Sequence, residues 1–151
     1  MMGGGQQQLQ QLSQELQALD QEIEALESEV EGYRGEKADI DEAVEAIETL
    51  ETGATVQVPL GGGAYVRAEV QDIDEVVVSL GGNYSAEQDQ DDAIDVLRRK
   101  QDALDDRIEE TQADIDELES ESQELEQQAQ QMQQQMQQQQ MQQMQQQADD
   151  E

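Results

Sequence analysis

The feature that most constrains this chain is a pair of heptad repeats separated by a glycine-rich block. From about residue 7 to 52, apolar residues recur at alternating steps of three and four. Position a holds Leu9, Leu16, Ile23, Val30, Lys37 and Val44, and position d holds Leu12, Leu19, Leu26, Tyr33, Ile40 and Ile47. Eleven of these twelve residues are apolar or aromatic. A stripe with that period, kept over six heptads, specifies a helix that buries one narrow seam against another helix. A second repeat covers about residues 89 to 140. Its a positions are Ile94, Gln101, Ile108, Ile115, Ser122, Ala129 and Met136; its d positions are Leu97, Leu104, Thr111, Leu118, Leu125, Met132 and Gln139. This seam is weaker and decays toward its end.

The two repeats register against each other. If the chain folds back around residues 53–88, Thr52 faces Asp89, and facing residues have numbers that sum to about 141. Every a position then meets a d position, as antiparallel coiled coils require. Ile47 faces Ile94, Leu26 faces Ile115, and Leu9 faces Met132. The polar intrusions Lys37 and Gln101 fall close together. Gly32 and Gly35 lie at outward positions, as either tolerated weak spots or a flexing point. Gly53 is a natural helix stop.

The block between the helices contains the only proline, Pro59, and six of the eleven glycines. Thr55 to Val58 reads as a strand, Gly61-Gly62-Gly63 as a turn, and Ala64 to Val70 as the returning strand. Asp72 to Glu75 is a loop before the strand Val76 to Leu80. Gly81-Gly82 turns the chain again, and Tyr84 to Glu87 returns, although Ser85 and Gln88 also have the spacing of a helix-capping box. Val76, Val77, Val78 and Leu80 are apolar on both faces, as in strands covered on two sides. Two isolated hairpins cannot cover themselves, so the block is expected to be an assembly surface.

Composition narrows the function. Only 34% of residues are hydrophobic, 2% are aromatic, and the formal net charge is −31. So little bulky apolar surface suits a narrow seam better than a globular core. The acid reads as spread along the entire chain. It argues against nucleic acid and anionic membranes as partners, and fits adaptation to molar salt better than one basic partner. Cysteine and histidine are absent, so thiolate and imidazole chemistry are excluded. No catalytic residue, metal site or cofactor is expected. The glycine run lacks the Lys-Ser/Thr of a phosphate loop. Asp89, Asp91 and Asp92 read as a helix start, since the spacing and glycine of a calcium loop are missing. With no signal-like start and no spanning apolar run, a cytoplasmic location is expected.

Residues 127–147 are glutamine interrupted by Ala129, Met132, Met136, Met141 and Met144. Two readings stand. One is a fraying low-complexity end; the other is a thioether surface that adapts to varied apolar partners. The chain is thus expected to be one domain over 1–151: helix 7–52, β block 53–88, helix 89–140, and a flexible Gln/Met-rich acidic tail 141–151.

The order helix, Val58-Pro59-Leu60-Gly61-Gly62-Gly63-Ala64-Tyr65-Val66, Asp74-Glu75-Val76-Val77-Val78-Ser79-Leu80-Gly81-Gly82, helix resembles the archaeal prefoldin α subunits. The likeness covers about residues 7–140, and the acidity looks haloarchaeal. It implies an α+β fold: a long antiparallel coiled-coil hairpin with two central β-hairpins that assemble into an oligomeric β-barrel body. It also implies a hexamer of two alpha and four beta prefoldin subunits, which captures unfolded proteins at its coiled-coil tips. The clients would pass to a group II chaperonin without ATP. Val56, Val58, Leu60, Val66, Val76, Val78 and Leu80 would build the body. Leu9, Leu12, Leu16, Met132 and Met136 would lie at the client-binding tip, with Met141 and Met144 of the tail beyond them. The alternative is a structural coiled-coil adaptor that binds selected partners and handles no unfolded chains.

Overall fold

The computed structural model describes residues 3–149, so the first and last two residues of the expected domain lie outside the described residues. Two long helices flank two antiparallel hairpins: α1 (Gly3–Thr49), β1 (Thr55–Gly61), β2 (Ala64–Glu69), β3 (Val76–Gly81), β4 (Tyr84–Gln88) and α2 (Gln90–Asp149). The chain divides into two compact units, one formed by Met1–Val30 with Glu109–Glu151, the other by Glu31–Ile108.

The heptad seam is the covered stripe of both helices. All twelve a and d positions of α1 are half-buried or buried, and so are all those of α2 except Gln139. Within the first unit, Val30, Thr111 and Ile115 are buried, and Ile115 is only 2% exposed. Burying one such side chain stabilises by about 2–3 kcal/mol. The Met136 sulfur lies 3.4 Å from where a Cβ on Gly5 would stand, so these two face each other as the register expects.

Within the second unit, Val44, Ala93 and Leu104 are buried, and the polar intrusions bind one another. Gln101 Nε2 donates to the Lys37 carbonyl at 3.1 Å and to Asp41 Oδ1 at 2.7 Å. Arg98 donates to Asp41 Oδ1 at 2.8 Å and to Gln101 Oε1 at 2.7 Å, while Lys37 pairs with Asp105. Gln90 Nε2 reaches the Ile47 carbonyl at 2.6 Å, satisfying an acceptor that the end of α1 leaves without an intrahelical donor. A half-covered Gln in an apolar seam must find partners, and only one register supplies these.

Near the hairpins, the end of α1 differs from the sequence expectation, whereas the returning strand and the start of α2 at Asp89 agree with it. α1 stops at Thr49 rather than 52, and Gly53 (φ 90°) instead donates to the Val70 carbonyl at 2.7 Å, extending the first hairpin's ladder. Ser85 and Gln88 are strand residues, not a capping box. The cap of α2 is Asp89, whose carboxylate accepts the Asp92 N–H at 2.7 Å. At the far end α2 continues to Asp149, past the expected stop at 140. Gln and Met are good helix formers, and no Gly or Pro interrupts them.

The two hairpins repeat one turn. In each, a leucine (Leu60, Leu80) is the unmatched residue of a bulge, followed by a glycine at φ 99° or 94°. The two loop residues after it, Gly62-Gly63 and Gly82-Asn83, also have positive φ. Two left-handed residues in a two-residue loop match the twist of the strands they join, and Asn is the non-glycine residue that best tolerates this. The repeat Leu-Gly-Gly, twenty residues apart, is the sequence signal for it. Between the hairpins, Asp72 accepts the Asp74 N–H at 2.9 Å, and Thr52 Oγ1 accepts the Ile73 N–H at 3.1 Å.

Candidate functional site

Two surfaces are candidates. The first is the hairpin pair. Among the described residues, each sheet has only two strands, so each strand leaves one edge without a ladder partner. Of the residues expected to build an assembly surface, Val78 is buried within the chain, and Val56 and Val76 are half-buried. Val58, Leu60, Val66 and Leu80 are exposed, with Leu60 at 68%. Val77, one of the run read as apolar on both faces, is exposed as well, and the structure adds Tyr65 and Tyr84, both well exposed, which sequence reasoning left off that surface. Their signal is positional: Tyr65 pairs with Pro59 and Tyr84 with Gly81, beside the two bulges. Large apolar groups thus cluster at both turns, more than a surface in contact with water alone would carry.

The second surface is the end of the helix pair that carries the first residues of α1. Leu9, Leu12, Leu16, Met132 and Met136 lie in the seam and are half-buried. Met141 and Met144 are 70% and 74% exposed, beside Gln134, Gln137, Gln138 and Gln140 in a shallow groove of α2. A second groove lies closer to the middle of that unit, with Leu19 and Leu125 at its floor and Glu15, Glu22, Glu121 and Glu124 around it. The structure therefore divides the expected tip residues into a covered set that holds the helices together and an exposed pair.

The placement of charge corrects the expectation of uniform acidity. Residues 3–14 of α1 and residues 127–148 of α2 contain no charged side chain. The last charges before these runs are Glu15 and Glu126, which the register of Gly5 on Met136 places at one level. Both helices lose their charge together.

Two carboxylates are shifted from their ordinary range. Asp41 is held below the usual carboxylate range by the Gln101 amide and then by the Arg98 guanidinium, both hydrogen-bonded to it. Asp92 is raised, chiefly by the neighbouring Asp89 carboxylate. Both stand open to solvent, and both are explained by helix packing and capping. Among the described residues, no cluster of three or more His, Cys, Asp or Glu could hold a metal ion, and no helix is long and apolar enough to cross a membrane.

Comparison with known proteins follows these features closely. A family profile described as "Prefoldin subunit" matches residues 19–142. A prefoldin subunit alpha of Halorubrum lacusprofundi is 84% identical over 112 residues, which are 74% of each chain. That of Halobacterium salinarum is 72% identical over 108 residues, 72% of this chain and 70% of the relative. That of Haloarcula marismortui is 62% identical over 105 residues, 70% of this chain and 68% of the relative. Among solved structures, a chain from the cryo-EM structure of filamentous PFD from Methanocaldococcus jannaschii superposes with a TM-score of 0.66 at 28% identity. It covers 75% of this chain and 96% of its own.

Proposed function

The chain belongs to the prefoldin family, with haloarchaeal alpha subunits among its close relatives, and from this we propose that it is one subunit of an ATP-independent chaperone that captures unfolded proteins at its coiled-coil tips. The observation that carries the reading is the methionine-bearing end of the helix pair. Met141 and Met144 stand exposed there beside half-covered Met132 and Met136, with Leu9, Leu12 and Leu16 in the adjoining seam. Methionine is unbranched and polarizable, so it packs against apolar segments of many shapes without selecting one. Each contact is weak, and several tips holding one client together give useful retention with ready release.

The hairpins supply the assembly. Open strand edges and the exposed Val58, Leu60, Val66 and Leu80, supported by Val56, Val76 and Val78, join those of neighbouring subunits in a β-barrel body. The complex is a hexamer of two alpha and four beta prefoldin subunits, works in the cytoplasm, and delivers clients to a group II chaperonin. The role requires no cofactor and no catalytic group.

The test is aggregation of a denatured protein in molar KCl, with this chain assembled with its beta partner and no nucleotide present. Suppression is the expected result. Truncation after Glu126 should leave the hexamer intact and weaken suppression. An assembled hexamer that suppresses nothing, while holding one selected partner, would replace this reading with that of a coiled-coil adaptor.

A further inference from the structure

We infer that the capture end is adapted to unfolded clients that are themselves net-acidic, admitting them by carrying no charge of its own; the inference rests on the capture reading above. The observation is the matched loss of charge on two helices. Residues 3–14 and 127–148 lie at opposite ends of the sequence, yet they become neutral at the same level of the helix pair. Elsewhere in the chain, long uncharged runs occur only at 52–66 and 76–86, which cover most of the two hairpins. In a molecule of net charge −31, the uncharged stretches are thus the surfaces proposed to touch other chains.

The sign of the partner follows from electrostatics. A basic client would be drawn to the carboxylates along the helices and would gain nothing from a neutral end. An acidic client is repelled everywhere that Asp and Glu stand, and only a neutral surface lets it approach. Molar salt shortens screening to about 3 Å, so distant repulsion is already removed. What salt leaves is the contact-range cost of pressing carboxylate against carboxylate while stripping water from both. Glutamine avoids that cost while keeping the length and helix propensity of glutamate. Its amide can also both donate to and accept from the backbone of an extended chain. Met141 and Met144 beside these amides supply the apolar contact.

The test compares two labelled unfolded polypeptides in molar KCl. One is rich in Asp and Glu; the other is its counterpart with Asn and Gln at those positions. The full chain, assembled with its beta partner, is used unsubstituted or with Gln134→Glu, Gln137→Glu, Gln138→Glu and Gln140→Glu combined. Capture of the acidic probe should weaken about tenfold in the glutamate variant, and that of the neutral probe by less than about threefold. The four corresponding Gln→Lys changes should tighten the acidic probe instead, which keeps the question open to test should the glutamate variant lose its helix. Equal losses for both probes, or none, would overturn the inference. Capture of only the neutral probe by the unsubstituted complex would overturn it while leaving the chaperone reading standing. Capture of neither probe would overturn both.

Discussion

The two compact units solve one problem, holding acidic helices together, with different means. All seven basic residues lie between Arg34 and Arg107, inside the unit Glu31–Ile108. Among the described residues, every side-chain hydrogen bond and ion pair lies there too, including Lys37 to Asp105, Arg98 to Asp41, and Gln101 to the Lys37 carbonyl. Arg107 also lies 6.0 Å over the Tyr33 ring, a cation–π distance. The other unit contains no Lys or Arg. Its acids, among them Glu15, Glu22, Glu121 and Glu124, face one another around a shared groove, and the seam of Leu19, Ile115 and Leu125 opposes that repulsion alone. Register is therefore set by polar specificity in one unit and only followed by apolar packing in the other. Salt must carry in the second what cations carry in the first.

The largest expected effect tests that division directly. Lowering KCl from molar to below about 0.5 M lengthens screening, and the cation-free unit should open first. Hydrogen exchange should accelerate in residues 9–30 and 109–126 while residues 37–47 and 94–105 stay protected. Simultaneous loss of protection in both would break the comparison. The next effect is a cavity. Ile115→Ala removes a buried side chain and should destabilise by about 2–5 kcal/mol, read as a lower urea midpoint in molar KCl. Val44→Ala removes less and sits among the polar locks, so its midpoint should fall less. A larger fall for Val44→Ala would mean that the locks depend on the seam, not the reverse.

The smallest effect is in acid. Asp41 titrates lower in the folded chain than in the unfolded one, because Gln101 and Arg98 bind its charged form. Its contribution is present above the ordinary carboxylate pKa of about 4 and is lost as pH falls through the lower folded value. Asp92 has the opposite sign: raised by Asp89, it weighs against the fold when ionised, and protonation relieves it. Asp41→Asn should thus flatten part of the decline of stability below about pH 4, and Asp92→Asn should stabilise slightly at neutral pH. Both groups are solvent-exposed, so the readout is the change in slope with pH rather than a large shift in midpoint. A steeper acid decline in Asp41→Asn would contradict the role given to the Gln101 amide.

Much of this was legible in the residues, for reasons that differ from place to place. The seam of Leu9 to Ile47 could be read because a helix repeats its faces, so spacing alone states which side chains meet a partner. The helix ends could not be read as well. Gly53 has the chemistry of a helix stop, but its N–H goes to Val70, a choice that depends on where β2 returns. Ser85 and Asp89 both have cap chemistry, and pairing of Ser85 with Ser79 left the cap to Asp89. At the tip, the heptad put Met132 in the seam opposite Leu9 and left Met141 outside it. Packing against α1 follows that spacing, half-covering the first and leaving the second exposed.

By itself, then, the sequence determined the architecture: two seams of matching period, two turns that only Gly and Asn fit, and the level at which charge ends on each helix. These are local or periodic properties, written wherever side-chain chemistry constrains the backbone near it. Tertiary structure decided which polar groups bind across the seam, where each helix stops, and which apolar residues remain uncovered. Those outcomes depend on the competition among distant groups for one partner, as when Gln101 takes the Lys37 carbonyl and Asp41 together, and no spacing rule expresses that competition.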